Sequence, residues 1–197
     1  MTTYRIAAIP GDGIGNEVLP AAIRVLDAAG ARTGVRFIWE EFPWGSNYYL
    51  AHAQMMPPDA LTTLKPFDAI YFGAVGDPRL QDNVTLNGLL LPIRRGFDQY
   101  ACVRPAVLYP GVRGPLVGKK PLEIDFTVVR ENTEGEYAQV GGVLYTGTPH
   151  EVAVQSSMFT RHGTERIIRF AFELARQRQK KKLVTSVTKS KIGRAHV

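Results

Sequence analysis

The sequence predicts an α/β protein whose sheet contains parallel strand pairs. Two observations support this prediction. Short apolar runs alternate with segments in which apolar residues recur every three or four positions, and glycine or proline clusters separate the two kinds of segment. With 197 residues, 45% of them hydrophobic, the chain can bury a core and forms either one large domain or parts of two.

The first half, residues 1–99, is expected to form the N-terminal part of an α/β domain. Its opening strand is broken by Pro10-Gly11-Asp12-Gly13, after which apolar residues follow a helical spacing. The predicted elements are strands at 4–9, 35–42 and 67–75, and helices at 14–26, at 58–65 and within 85–99.

The second half, residues 100–190, is expected to begin another domain, because its composition shifts. Gly141-Gly142, Gly147 and Pro149 separate short β-prone pieces, which indicates a hairpin or β arm at about 137–155. The other predicted elements are strands at 101–109, 124–130 and 183–188, and an amphipathic helix around 167–175.

Composition excludes several functional classes. No apolar run approaches the ~20 residues of a membrane span, and no signal-like segment opens the chain, so a cytoplasmic protein without membrane contact is expected. The single cysteine, Cys102, excludes internal disulfides and cysteine-based zinc clusters. Much of the net charge of +6 lies at 176–182 without aromatic residues for stacking, which argues against nucleic-acid binding.

The glycine turn at 11–15 has two interpretations. Glycines between a strand and a helix allow backbone amides to approach a phosphate. The Rossmann spacing G-x-G-x-x-G, however, requires glycine at position 16, which is Asn16. From the residues alone, a tight connection and a ligand-binding turn both remain open.

Three arginines stand at predicted element ends: Arg94, Arg104 and Arg130. A permanently charged, planar guanidinium at the end of a buried strand needs an anion, which is either a carboxylate of the protein or one of a ligand. The run from Glu131 to Tyr137 follows directly, and its three carboxylates are either metal ligands or solvated loop acids.

Five motifs extend these local patterns over nearly the whole chain. They are IPGDGIGNEV at 9–18, FDAIYFGAVG at 67–76, RRGFDQYACVRP at 94–105, VVRENTEGEY at 128–137 and SVTKS at 186–190. In this order they resemble the β-decarboxylating dehydrogenases, the family of isocitrate, 3-isopropylmalate, tartrate and D-malate dehydrogenases, and most of all its tartrate/D-malate branch. The resemblance implies the two-domain isopropylmalate dehydrogenase-like fold, which is not a Rossmann fold.

The resemblance also implies a reaction and residue roles. The reaction would be NAD-dependent oxidative decarboxylation of a small 2-hydroxy dicarboxylic acid, of tartrate or D-malate type, with Mg²⁺ or Mn²⁺. Substrate carboxylates would be bound by Arg94, Arg104 and Arg130. Tyr137 would be the general acid. Lys189 would relay a proton in the partner's active site, so a homodimer is implied.

The residues that the resemblance assigns to cofactor binding all lie in the first domain. NAD would contact Ile14, Gly73, Ala74 and Val75. Family members continue beyond this sequence, so the metal-binding aspartates and the loop that selects NAD are expected outside it. Residues 191–197 depart from the family pattern, and the last six of them match a translated sequencing adapter. They are expected to be a non-native tail, and a product ending there is expected to be inactive and poorly folded.

The substrate within the family is narrowed by the helix before Arg94. Isocitrate-type enzymes carry polar residues where this chain has Gly88 and Leu90, which argues against isocitrate. The apolar run that includes Leu90 would contact the substrate and could receive an isopropyl group, so 3-isopropylmalate remains an alternative, as does a non-catalytic regulatory subunit. Pro92 departs from the pattern and is expected to kink this helix.

Overall fold

The computed structural model describes residues 2–187, and the chain divides into two compact units, Met1–Phe97 and Asp98–Val197. Lys189, assigned above as the proton relay, lies outside the described residues, and so does the expected tail at 191–197. In the part of the chain that is described, no helix is both long enough and apolar enough to cross a membrane.

The first unit is built on a parallel three-stranded sheet. Its strands are β1 (Thr2–Gly11), β2 (Val35–Glu41) and β3 (Ala69–Ala74), in the order β2-β1-β3. Both β2 and β3 pair with β1 in parallel, which confirms the predicted α/β class. Helix α1 (Gly15–Thr33) connects β1 to β2 and ends at Gly34, whose φ of 74° is the left-handed conformation that glycine adopts readily.

Short helices complete the first unit. They are α2 (Ser46–His52), α3 (Ala60–Leu64), α4 (Asp82–Thr85) and α5 (Leu91–Gly96), with a π-helical turn at Leu86–Leu90 between the last two. The sequence did not predict α2, because seven residues are too few to show a helical period and its start is not marked by a proline pair, as the start of α3 is by Pro57-Pro58.

The π-helical turn shows how the helix accommodates Pro92. The Leu91 N–H donates to the carbonyl of Leu86, five residues back, and Pro92 follows at the start of α5, where its missing N–H is tolerated. The helix therefore continues past Pro92 through a widened turn.

The core of the first unit lies between the sheet and the short helices. Fully buried side chains from β1, α3 and the π-helical turn meet there, including those of Ile9, Leu64 and Leu89. Phe42 and Trp44, which follow β2, pack on each other with ring centroids 4.7 Å apart. Burial of this apolar surface fixes the sheet and the loops at its carboxyl end.

The second unit consists of two antiparallel strand pairs and one long helix. Strands β4 (Ala101–Val107) and β5 (Asp125–Glu131) form one pair, and β6 (Gly135–Leu144) and β7 (Val152–Met158) form the other. Helix α6 (Arg161–Gln177) packs against β5 and begins after Thr160, whose hydroxyl accepts the Gly163 N–H at 3.0 Å.

One predicted strand is wrong. The pattern LVTSVT predicts a strand at 183–188, yet residues 183–187 form none in the structure. Leu183 is 71% exposed and Val187 is 90% exposed. A strand requires a hydrogen-bonded neighbour, and alternating β-branched residues do not provide one by themselves.

Candidate functional site

In the first unit, the glycine turn after β1 packs directly against the end of β3. The backbone N–H of Asp12 donates to the Ala74 carbonyl at 2.7 Å. A Cβ on Gly15 would lie 2.0 Å from the Pro10 carbonyl oxygen, and one on Gly73 would lie 2.2 Å from the same atom. Close backbone packing therefore requires both of these glycines, whether or not a ligand binds.

The outer side of the same turn is open. Ile14 is 63% exposed, and a Cβ on Gly13 or Gly76 would meet no atom within 4 Å. The chain passes from β1 to β2 on one side and reaches β3 on the other, so the carboxyl ends of β1 and β3 flank a topological switch point. Ligands of open α/β sheets bind in the crevice at such a point. The exposed apolar side chain of Ile14 and the accessible backbone suit a flat cofactor such as NAD.

An ion pair borders this edge. Arg79 donates to Asp77 through Nε at 2.9 Å and through Nη2 at 2.6 Å, and Nη2 also reaches the Asn47 Oδ1 at 2.8 Å. The hydrogen bonds from the Arg79 side chain and backbone lower the pKa of Asp77 from 3.8 to about 2. Asp77 therefore remains ionised throughout the physiological range.

The predicted substrate residues Leu90 and Arg94 are four positions apart along one continuous helical segment. Leu89 and Leu91 are buried in the first unit, whereas Leu90 and Arg94 are only partly buried. Gly88 abuts Met55, since a Cβ there would lie 2.5 Å from the Met55 Cγ. Of the three consecutive leucines, Leu90 is thus the one with surface left for a ligand.

In the second unit, Arg104 and Arg130 share one face of the β4–β5 pair. Cys102 lies opposite Arg130, and Arg104 lies opposite Val128. Directly paired residues, and residues two apart on a strand, point to the same side of a sheet. The register therefore makes the two arginines diagonal neighbours. Arg104 is exposed and Arg130 is partly buried.

Arg130 also lies over the ring of Tyr137. Its guanidinium carbon is 5.2 Å from the ring centroid, within the range of a cation–π contact. Nη2 donates to the Asn132 Oδ1 at 3.3 Å, and Asn132, itself buried, donates to the Gln99 carbonyl at 3.1 Å. The buried Nε of Arg130 has no hydrogen-bond partner among the described residues, so the guanidinium can accept a further anionic partner.

The carboxylates that follow Arg130 stabilise the loop at 132–134, between β5 and β6. The Glu131 carboxylate accepts hydrogen bonds from the Thr133 N–H, the Thr133 hydroxyl and the Glu134 N–H at 2.7–3.0 Å. Glu134 accepts the N–H and the hydroxyl of Thr160, the residue that caps α6. Among residues 2–187, no three His, Cys, Asp or Glu side chains cluster as metal ligands would. The acidic run therefore has a structural role here, and no metal ligand is assigned to it.

Arg166 on α6 secures this loop from the other side. Its guanidinium donates to both Asp98 oxygens, at 3.0 and 2.8 Å, and to the Thr133 hydroxyl at 2.8 Å. It also lies 4.5 Å from the centre of the Tyr100 ring. Burial raises the pKa of Glu134, but hydrogen bonds from Thr160 and the charges of Arg166 and His162 outweigh it, so the pKa is lowered.

The structure thus groups the predicted residues in three places. The turn that carries Ile14 packs against Gly73 and Ala74, next to Val75; Leu90 and Arg94 share one helical segment; and Arg104, Arg130 and Tyr137 lie together in the second unit. Sequence reasoning missed Asp12, Asn132 and Arg166, whose partners are distant along the chain. The available sequence signal for Asp12 was an aspartate between two glycines directly after an apolar strand.

The chain belongs to the isocitrate/isopropylmalate dehydrogenase family, whose model matches residues 5–196. Within that class, it is 58% identical over 192 residues to the D-malate dehydrogenase [decarboxylating] of Escherichia coli (strain K12), covering 96% of this chain and 53% of that protein. It is 53% identical over 190 residues to the tartrate dehydrogenase/decarboxylase of Pseudomonas putida, covering 95% and 52%.

The fold agrees with this membership. The crystal structure of isocitrate dehydrogenase from Methylococcus capsulatus superposes with a TM-score of 0.72 at 29% identity, covering 90% of this chain and 49% of that one. A β-decarboxylating dehydrogenase from Thermococcus kodakarensis gives a TM-score of 0.60 at 34% identity, covering 89% and 46%. The chain spans about half the length of the curated relatives it matches.

Proposed function

We propose that the protein catalyses the NAD-dependent oxidative decarboxylation of a small 2-hydroxy dicarboxylic acid of tartrate or D-malate type, as a homodimer that uses Mg²⁺ or Mn²⁺. The observation that carries the proposal is Arg130, whose buried Nε is unpartnered among the described residues and whose guanidinium lies over Tyr137. The high identity to a D-malate and a tartrate dehydrogenase supports the substrate class.

The substrate carboxylates are assigned to three arginines. Arg130 is fixed by Asn132 and shares a sheet face with Arg104, so both guanidiniums can receive anionic groups on that face. Arg94, in the first unit, is the third, and Leu90 four residues before it contacts the apolar part of the substrate. Such binding fixes the orientation of the reacting carbon and lowers the entropic cost of reaching the transition state.

NAD, when bound, supplies the acceptor for the hydride that leaves C2 of the substrate. The hydroxyl loses its proton at the same stage, and we assign its relay to Lys189. The resulting β-keto acid loses CO₂; the electrons of the broken C–C bond form an enolate, and Tyr137 donates a proton to its carbon. Ile14 and the segment Gly73–Val75 would hold the cofactor. We name no metal ligand among the described residues, because the carboxylates of Glu131 and Glu134 already accept hydrogen bonds that hold the loop between β5 and β6.

The test is an assay of the complete product of the gene that encodes this sequence. NADH formation is measured with Mn²⁺ or Mg²⁺ on D-malate, tartrate, 3-isopropylmalate and isocitrate. We expect the highest kcat/KM on D-malate or tartrate. A preference for 3-isopropylmalate would overturn the substrate assignment alone, whereas no turnover on any of the four would overturn the enzymatic function and favour a regulatory subunit.

The role of Tyr137 is tested separately with Tyr137→Phe. Removing the hydroxyl should lower kcat for decarboxylation by about a hundredfold or more and leave the binding of substrate nearly unchanged. The amount of β-keto acid that is formed but not decarboxylated is measured by quenching the reaction and trapping the carbonyl group. A rise in KM with unchanged kcat would contradict the assignment.

A further inference from the structure

We infer that Asp12 is a positioning residue that keeps the proposed cofactor edge in shape, an inference that rests on the proposed function. Asp12 lies in the glycine turn after β1 and is only 4% exposed. The hydrogen bonds that its carboxylate accepts come from backbone groups of the first unit.

The carboxylate of Asp12 joins two segments that are distant along the chain. Oδ1 accepts the Ser46 N–H at 2.6 Å, at the start of α2, and Oδ2 accepts the Gly76 N–H at 3.0 Å, just after β3. The Asp12 N–H donates to the Ala74 carbonyl at 2.7 Å. One residue therefore links the glycine turn to the end of β3 and to α2.

The surroundings select a group with two acceptors at this position. Both oxygens of Asp12 meet N–H donors, and an asparagine would offer one acceptor and one donor instead. Gly45 makes room for the carboxylate, because a Cβ there would lie 2.8 Å from Oδ1 and its φ of +153° is rare for other residues.

The linked segments are those assigned to the cofactor. Ile14 lies two residues after Asp12 in the turn, and Gly73–Val75 immediately precede the Gly76 donor. The arginines assigned to the substrate lie on α5 and on the β4–β5 pair. Loss of the Asp12 carboxylate should therefore weaken NAD binding and spare substrate binding.

The experiment uses Asp12→Asn in the complete gene product. Calorimetric titration with NAD⁺ in the absence of substrate should show Kd raised about tenfold, the effect of leaving one buried donor unpaired. KM for D-malate at saturating NAD⁺ should change by less than about twofold. NAD⁺ affinity equal to that of the unsubstituted protein would overturn the inference.

Asp68→Asn is the matched control. The Asp68 Oδ2 accepts the Arg5 N–H at 2.7 Å. It therefore joins β1 and β3 at the end of the sheet opposite to Asp12. This variant should bind NAD⁺ normally; an equal loss in both variants would show a merely structural role and overturn the inference.

Ser46→Pro is a second variant in case Asp12→Asn does not fold. It removes the donor to Oδ1 at the first residue of α2, a position that proline tolerates. Its Kd for NAD⁺ should also rise, and unfolding of both variants would overturn the inference. If the unsubstituted protein binds no NAD⁺, the proposed function fails instead.

Discussion

The two units hold their candidate site residues by different means. In the first, a core of buried apolar residues fixes the edge at which β1 and β3 end; among the residues described, every buried hydrophobic except Leu108 belongs to this unit. In the second, the segment from Arg130 to Tyr137 is held by Asn132, by hydrogen bonds to the two loop acids and by Arg166.

The two kinds of support suit different chemistry. A hydrocarbon core fixes backbone segments and tolerates changes of pH, whereas a polar network can keep a cation such as Arg130 near other charged groups. Because each partner in a network depends on the others, its members are sensitive to single substitutions and to protonation.

The largest expected effect comes from Arg130→Ala. Removing the guanidinium should lower kcat/KM on the preferred hydroxy acid by about a thousandfold, because the substrate carboxylate is left without its cation. Arg130→Lys, which keeps the charge but loses the planar fork, should remain strongly impaired. Steady-state kinetics test both, and activity within tenfold of the unsubstituted protein for the alanine variant would contradict the role.

A core substitution in the first unit should act on stability. Leu89 is fully buried, and Leu89→Ala should lower the free energy of unfolding by about 3 kcal/mol through lost contacts and a cavity. Leu86→Ala is the control, because Leu86 is 39% exposed; its cost should stay below about 1 kcal/mol. Urea denaturation measures both, and equal costs would contradict the contrast.

The polar network should respond to acid. The pKa of Glu134 is lowered in the folded protein, so its contribution to stability is fully present above its ordinary pKa of 4.5 and is lost as pH falls through the folded value. Glu134→Gln should therefore be less stable than the unsubstituted protein at pH 7, and this gap should narrow below pH 4.5. Unfolding curves from pH 7 to 3 test it, with Glu136→Gln removing the same formal charge as control. A gap that is independent of pH would refute the role.

The smallest effect is expected at the Asp77–Arg79 pair. Arg79→Gln should raise the pKa of Asp77 from about 2 towards 3.8, as carboxyl NMR titration can measure. Stability should barely change, because the Arg79 side chain is 54% exposed and solvent screens its charge. An Asp77 pKa that stays near 2 in the variant would mean that another group lowers it.

Much of the fold could be predicted from the sequence, because long elements show their period. Strands β1 to β5 lie close to the predicted positions, whereas helix α1 begins as predicted but runs on to Thr33, beyond the predicted end at residue 26. Two kinds of segment could not be predicted. Helix α2 is short and has no proline pair at its start, and the strand expected at 183–188 lacks the neighbour it would need within the described residues. The π-helical turn before Pro92 was also hidden, since five residues show no distinct pattern.

The candidate site was predicted only where residues are close along the chain. Arg130 and Tyr137 lie in one motif, so their contact could be anticipated. The hydrogen bonds of Asp12 span 34 and 64 residues, and the bond from Arg166 to Asp98 spans 68. Such contacts depend on the finished fold, and the same holds for the structural use of Glu131, which local reading left open as a metal ligand.

The π-helical turn at Leu86–Leu90 amounts to one extra residue inserted into an otherwise regular helix. Each residue rotates an α-helix by about 100°. An extra residue that was not absorbed would turn every side chain beyond it by that angle relative to α4. The wide turn absorbs the extra residue locally, so Arg94 keeps the phase that a regular helix one residue shorter would give it. In related proteins, a one-residue gap in this short stretch would therefore leave the direction of this arginine unchanged.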